Sequence, residues 1–301
     1  MKTSQFIEKN FWIFLIAGIV AGLWQPLAIH APVYLPKLLL GMMLFFVFLK
    51  IDVRMVFERM KDYKLMIFLA FIYMILVPIL FFLTVSIFDR QVALGILLLA
   101  AMPAGVSTPA LTDILKGNIP LSMSIAIFTQ IIAPFTVPLL FWIIGTRGLE
   151  INELLLFRDI AAMIFIPLIA AQGIKRYFTG TVKRNQHLFT SVNVLLLFAF
   201  VYVAISSQRD IILRNPVNLI WKTVVLYLVF IVLHVIGFFI RSRDTRENRI
   251  ALAVTAAYMN NGLAIVLASA YFGPDILVLM VLSEIPWNTL PSPFKRIIRQ
   301  V

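Results

Sequence analysis

Two polar interruptions break an otherwise apolar chain. The first is Ala101-Met102-Pro103-Ala104-Gly105-Val106-Ser107-Thr108-Pro109, inside a hydrophobic run over residues 92–115. Each proline withholds an N–H and clashes with the carbonyl one turn back. Lipid cannot satisfy the freed carbonyls, so this stretch must face protein or a wet cavity. The second is Tyr258-Met259-Asn260-Asn261-Gly262, inside the run 250–272. Breaks at corresponding places in two halves of a membrane chain are the sequence mark of a transport site. Ser107, Thr108, Asn260 and Asn261 are therefore candidate ligand-binding residues. Thr112 follows on the same segment, and Ser122 and Gln130 lie along the next run. One carbonyl cannot satisfy the whole amide of Gln130. In Ser283-Glu284-Ile285-Pro286-Trp287-Asn288-Thr289, Glu284 places a carboxylate within an apolar run, with Asn288 one turn on. A charge at depth is functional by default. Proton binding, cation binding and an ion pair with Lys295 or Arg296 are all open.

The elements that must hold these groups follow from composition. Of 301 residues, 61% are hydrophobic and 13% charged, against about 45–50% apolar and about 25% charged in globular domains. A membrane-spanning helix takes about 20 apolar residues. Ten such segments are present: 11–29, 33–50, 65–88, 92–115, 121–145, 154–174, 187–207, 219–240, 250–272 and 276–298. The fold class is an all-α polytopic membrane protein with ten transmembrane helices. Nineteen Lys and Arg fall in the loops and termini of one side and five on the other. That positive-inside bias puts both termini in the cytoplasm of a multi-pass protein of the cell (plasma or inner) membrane. It also assigns the +12 net charge to a basic cytoplasmic face of a protein whose partner is the lipid bilayer, with no nucleic-acid partner. Without cysteine there is no thiolate metal site or disulfide. No P-loop, His-Glu-x-x-His or Gly-x-Ser-x-Gly motif occurs, so no enzyme is expected.

Ten spans divide into five and five, and an odd number per half inverts the second half. Residues 1–149 and 150–301 are thus expected to form two inverted five-helix repeats. The fourth and ninth helices are expected to be broken at the two interruptions.

Pro103-Ala104-Gly105, Thr112, Lys116-Gly117-Asn118, Leu121-Ser122 and Pro134 resemble the fourth and fifth helices of the bile acid:sodium symporter (SBF/BASS-like) family. Asn260 with Gly262-Leu263-Ala264 is similar to its ninth helix, and Trp287-Asn288 to its tenth. The resemblance implies a panel domain from helices 1, 2, 6 and 7 and a core domain from helices 3–5 and 8–10, in which the broken helices 4 and 9 cross. It implies a secondary active transporter of a small organic anion, working by alternating access with sodium, or a proton, as coupling ion. No cofactor is implied beyond a possible sodium ion, with Thr108, Ser122, Asn260 and Glu284 as candidate ligands. The chain departs from the family where sodium ligands belong. Thr108-Pro109 replaces a Ser-Asn pair, and Ala126 a hydroxyl. Thr255 stands for the bridging glutamate, Met259 for a glutamine, and Tyr73 for another. A membrane receptor or scaffold that keeps the fold without transport is the alternative. An arsenite-type efflux carrier is disfavoured by the missing cysteine.

Overall fold

The computed structural model describes residues 11–25, 32, 34–51, 62–144, 152–214 and 216–298. Part of the basic-loop count, at residues 2, 9, 54, 59, 61, 147 and 299, lies outside them, as does most of the expected seam at 146–153. Among the described residues every regular element is a helix. Five helices are long and apolar enough to cross a membrane.

Two compact units emerge, one from residues 1–52 and 159–214 and the other from 53–158 and 215–301. In the first, α1 (Phe11–Trp24) and α2 (Leu35–Lys50) pack on α8 (Thr179–Arg214). The latter runs 36 residues, well beyond the expected 187–207, because its polar ends keep helical backbone. It is preceded by α7 (Glu153–Tyr177). Polar side chains finish the helix ends: Arg209 donates to the Leu23 carbonyl at 2.7 Å, and Gln172 to that of Phe48 at 3.0 Å. Lys37 pairs with Asp159 at 2.7 Å.

The second unit holds the interrupted segments. Among its described residues the first helix, α3 (Tyr63–Val85), contains a π stretch over Ile72–Leu76. Pro78 lies just beyond that stretch and has no N–H to continue an α ladder. The run expected as the fourth span is two helices, α4 (Arg90–Ala100) and α5 (Thr108–Ile114). Asp89 starts α4 by accepting the Gln91 and Val92 N–H groups, which a cap residue does for orphan donors. After α5, Lys116 takes a left-handed φ of 62°. Its N–H reaches Asp113 O, and that of Gly117 reaches Thr112 O, a Schellman closure. Gly117 is required there, because a Cβ would lie 2.7 Å from Ile250 Cγ2. The continuous α6 (Ile119–Ile144) carries Pro134 and Pro138 within it.

In the second half, α9 (Pro216–Phe239) leads to α10 (Arg246–Ala257) and α11 (Asn261–Tyr271), the two pieces of the ninth run. The expected tenth span is not one helix. It comprises α12 (Pro274–Leu282), α13 (Glu284–Thr289) and α14 (Pro291–Ile298). Pro286 cannot donate to the Leu282 carbonyl, which breaks the ladder at Ser283. Pieces of the interrupted runs pack on one another, α4 on α11 and α5 on α10, and α4 also packs on α12. Met66, Leu69, Tyr73, Ile125, Leu252 and Ala256 form a buried core where α3, α6 and α10 meet.

Candidate functional site

The two interruptions meet backbone to backbone. Ala104 and Met259 form an antiparallel bridge. Gly105 donates its N–H to Tyr258 O at 2.8 Å, and Asn260 donates its N–H to Pro103 O at 2.9 Å. Each broken helix leaves amides and carbonyls without intrahelical partners, and here each supplies the other's. The approach requires glycine at 105. A Cβ would sit 3.0 Å from Tyr258 O and 3.2 Å from Met259 O.

Side chains of α6 support the bridge from one side. Gln130, 2% exposed, donates through Nε2 to Ala104 O at 3.2 Å. Thr129 accepts the Ala104 N–H at 3.1 Å while donating to its own helix. Thr108 is buried, and its hydroxyl donates to Gly105 O at 2.7 Å. Asn260 caps α11, its Oδ1 accepting the Leu263 N–H at 3.1 Å. Gln130, Thr108 and Asn260 are thus gathered on the joint between the broken helices.

Thr112 and Ser122 form a separate buried pair, hydroxyl to hydroxyl at 2.9 Å. Ser107 precedes α5 without a side-chain cap bond and is exposed. The four sodium candidates Thr108, Ser122, Asn260 and Glu284 make their hydrogen bonds locally, and no bond joins any two of them.

A third group forms where α13 begins. Glu284 is 7% exposed. Its Oε2 accepts from Asn288 Nδ2 at 3.1 Å, and its backbone oxygen accepts from the same nitrogen at 2.7 Å. Among the described residues no Lys, Arg or His is within ion-pair distance of it, so the expected alternative of a pair with Lys295 or Arg296 is not found. Asn261 lies close enough to the carboxylate to act on its charge, yet no hydrogen bond of good geometry engages either end of its amide. Trp287 ties this group to the bridge by donating from Nε1 to Met259 O at 3.2 Å.

Of eight buried side-chain polar atoms without a partner among the described residues, five belong to this site. They are Gln130 Oε1, Asn260 Nδ2, both amide atoms of Asn261, and Asn288 Oδ1. A buried unpaired polar atom costs about 1–3 kcal/mol, so their concentration at one joint calls for an explanation.

The family-like sodium positions contribute little. Thr255 bonds back to Ala251 O at 2.9 Å. Tyr73 reaches the Leu252 carbonyl at 3.4 Å, and Ala126 and Met259 are apolar and buried. Outside the candidate set, His234 contacts Phe230 O at 2.7 Å and the Tyr258 hydroxyl at 3.0 Å. Tyr258 stands edge-on to Trp287 at 5.4 Å. A lone histidine in an apolar run gave no signal for this. Thr129 was visible only as one more hydroxyl on a helix.

The sequence matches the SBF-like CPA transporter family over residues 9–289. It is 26% identical over 281 residues to the uncharacterized sodium-dependent transporter YocS of Bacillus subtilis (strain 168), covering 91% of this chain and 85% of that one. It is 28% identical to the probable sodium/metabolite cotransporter BASS4, chloroplastic, of Arabidopsis thaliana, over 43% of this chain and 31% of that one. With the probable sodium/metabolite cotransporter BASS1, chloroplastic, of Oryza sativa subsp. japonica, identity is 23% over 60% of this chain and 44% of that one.

Proposed function

The chain belongs to the SBF-like CPA transporter family, and from that premise we propose that it is a secondary active transporter of a small organic anion. Transport proceeds by alternating access and is driven by a cation gradient. The observation that carries this is the joint between the two broken helices. Gly105 and Asn260 exchange backbone bonds with the opposite interruption, and five partnerless buried polar atoms lie on it and in the adjoining Glu284 group. Half-helix ends provide both signs of partial charge, with N–H groups for an anion and carbonyls for a cation.

In this proposal Ser107, Thr108, Gln130, Asn260 and Asn261 serve substrate or ion from the bridge. Thr112 and Ser122 support α5 against α6. Glu284 and Asn288 supply the cation side. The two halves are inverted five-helix repeats of a ten-span protein in the cell membrane, with both termini cytoplasmic. The two compact units support a panel domain from helices 1, 2, 6 and 7 and a core from the rest. The relatives' names support sodium as the driving ion.

Uptake of a panel of labelled small organic anions into proteoliposomes, under imposed sodium or proton gradients, tests the proposal. Accumulation of at least one anion under a gradient supports it. Absence of gradient-driven uptake and of exchange for the whole panel overturns it in favour of a non-transporting receptor.

A further inference from the structure

We propose that Glu284, Asn261 and Asn288 form a sodium site on the tenth run of the chain; this rests on the transporter function proposed above and locates its coupling ion. A buried carboxylate without a positive partner is costly anywhere, and more so in a membrane. Glu284 is in that position. The basic groups of the element packed beside it are used elsewhere. On α9, Lys222 pairs with Asp275 at 3.2 Å, and His234 is held by Phe230 and Tyr258. On α14, Lys295 and Arg296 form no ion pair with it. Some other cation must balance the charge.

The amide oxygens select which one. Asn261 Oδ1 and Asn288 Oδ1 are both buried and unpartnered. Asn261 is 3% exposed. A proton on Glu284 satisfies one carboxylate oxygen and leaves both amide oxygens as they are. A hard cation takes carboxylate and carbonyl-type oxygens together. With a single carboxylate the balanced charge is one, and no three His, Cys, Asp or Glu gather among the described residues. That fits a monovalent ion rather than a divalent one.

The backbone agrees. The nine-residue α12 ends at Leu282, just before Glu284, and a helix C-terminus favours positive charge. Pro286 has no N–H to give the Leu282 carbonyl. Unwound carbonyls of this kind coordinate sodium in transporters with broken helices. The positions that the family resemblance assigns to sodium hold Thr255, Met259 and Tyr73, none of which carries a carboxylate.

Thermal melts of the purified protein test this without any organic anion. Sodium chloride is titrated against potassium and choline chloride at matched ionic strength, at several fixed pH values. Wild type is expected to gain a saturable, sodium-specific rise in Tm, as binding to the folded state requires. Glu284→Gln should abolish that rise. Asn261→Ala and Asn288→Ala should each raise the half-saturating sodium concentration about tenfold or more, and they carry the test if Glu284→Gln does not fold. Thr255→Val should respond as wild type does. A sodium response that survives in Glu284→Gln overturns the site, and so does a wild type that responds to pH but not to sodium. Failure of every anion to move in proteoliposomes, with the sodium response intact, overturns the transport function and not the ion site.

Discussion

The backbone N–H of Asn260 donates to the carbonyl of Pro103 at 2.9 Å, so the residue that caps α11 is bonded to the one that interrupts the opposite helix. Two residues along, Gly105 returns the favour to Tyr258 at 2.8 Å. Neither break is a local kink absorbed by its own helix. Each is completed by the other.

Gly105→Ala should show this most simply. The added Cβ meets two backbone oxygens at 3.0 and 3.2 Å, and backbone cannot yield as a side-chain tip does. Overpacking of this kind costs about 1–3 kcal/mol. A lower Tm and an uptake rate down about tenfold or more are expected at unchanged membrane insertion. Wild-type values for both would mean that the bridge does not govern function.

Gln130→Leu keeps the volume of the side chain but withdraws the donor from Ala104 O. A buried carbonyl left unsatisfied costs about 1–3 kcal/mol. Denaturation of the purified variant should register that loss. No loss would show that shedding the partnerless Oε1 offsets the broken bond, or that another donor serves Ala104.

Much of this joint was legible in the sequence, because Pro103, Gly105, Pro109 and the Asn260-Asn261-Gly262 run obey backbone rules that hold in any context. The break at Ser283 was not anticipated. Residues 276–298 are apolar enough to pass as one span, and hydropathy is blind to the carbonyl that Pro286 leaves behind. Glu284 was visible as a charge at depth, but its company was not. Asn261 is 23 positions away in the chain, and only the fold brings it to the carboxylate. The roles of Thr129 and Tyr258 were also hidden, since each depends on which backbone atom of the other helix comes to face it.

At the polar end of the second unit, Asn118 donates to Asn248 Oδ1 at 2.6 Å, and Asn248 donates to Asp244 at 2.7 Å. Against the partial burial that raises it, hydrogen bonds from Asn248 and the Thr245 N–H, with Arg241 nearby, hold Asp244 below its ordinary value of 3.8. A depressed carboxylate contributes stability that is present above its unfolded pKa and lost as pH falls through its folded one. The acid limb of Tm against pH, below 3.8, should therefore be shallower in Asp244→Asn than in wild type. Superimposable acid limbs would remove this role.

The loop asymmetry of nineteen basic residues to five predicts opposite sides for the seam and the C-terminus. Reporter fusions at Gly148 and Val301 should give opposite signals. Equal signals would remove the ten-span arrangement.

The most direct test of the joint between the two interruptions as the transport site is uptake by Asn260→Ala beside wild type, in proteoliposomes matched for inserted protein and under an inward sodium gradient. Alanine removes the cap on α11 and the partnerless Nδ2 while leaving the backbone bond to Pro103 in place. The account predicts at least about a tenfold loss of gradient-driven anion uptake, as expected when binding groups are misplaced, with stability reduced by no more than a lost helix cap costs, about 0.5–2 kcal/mol. Full uptake by Asn260→Ala at wild-type insertion would contradict it.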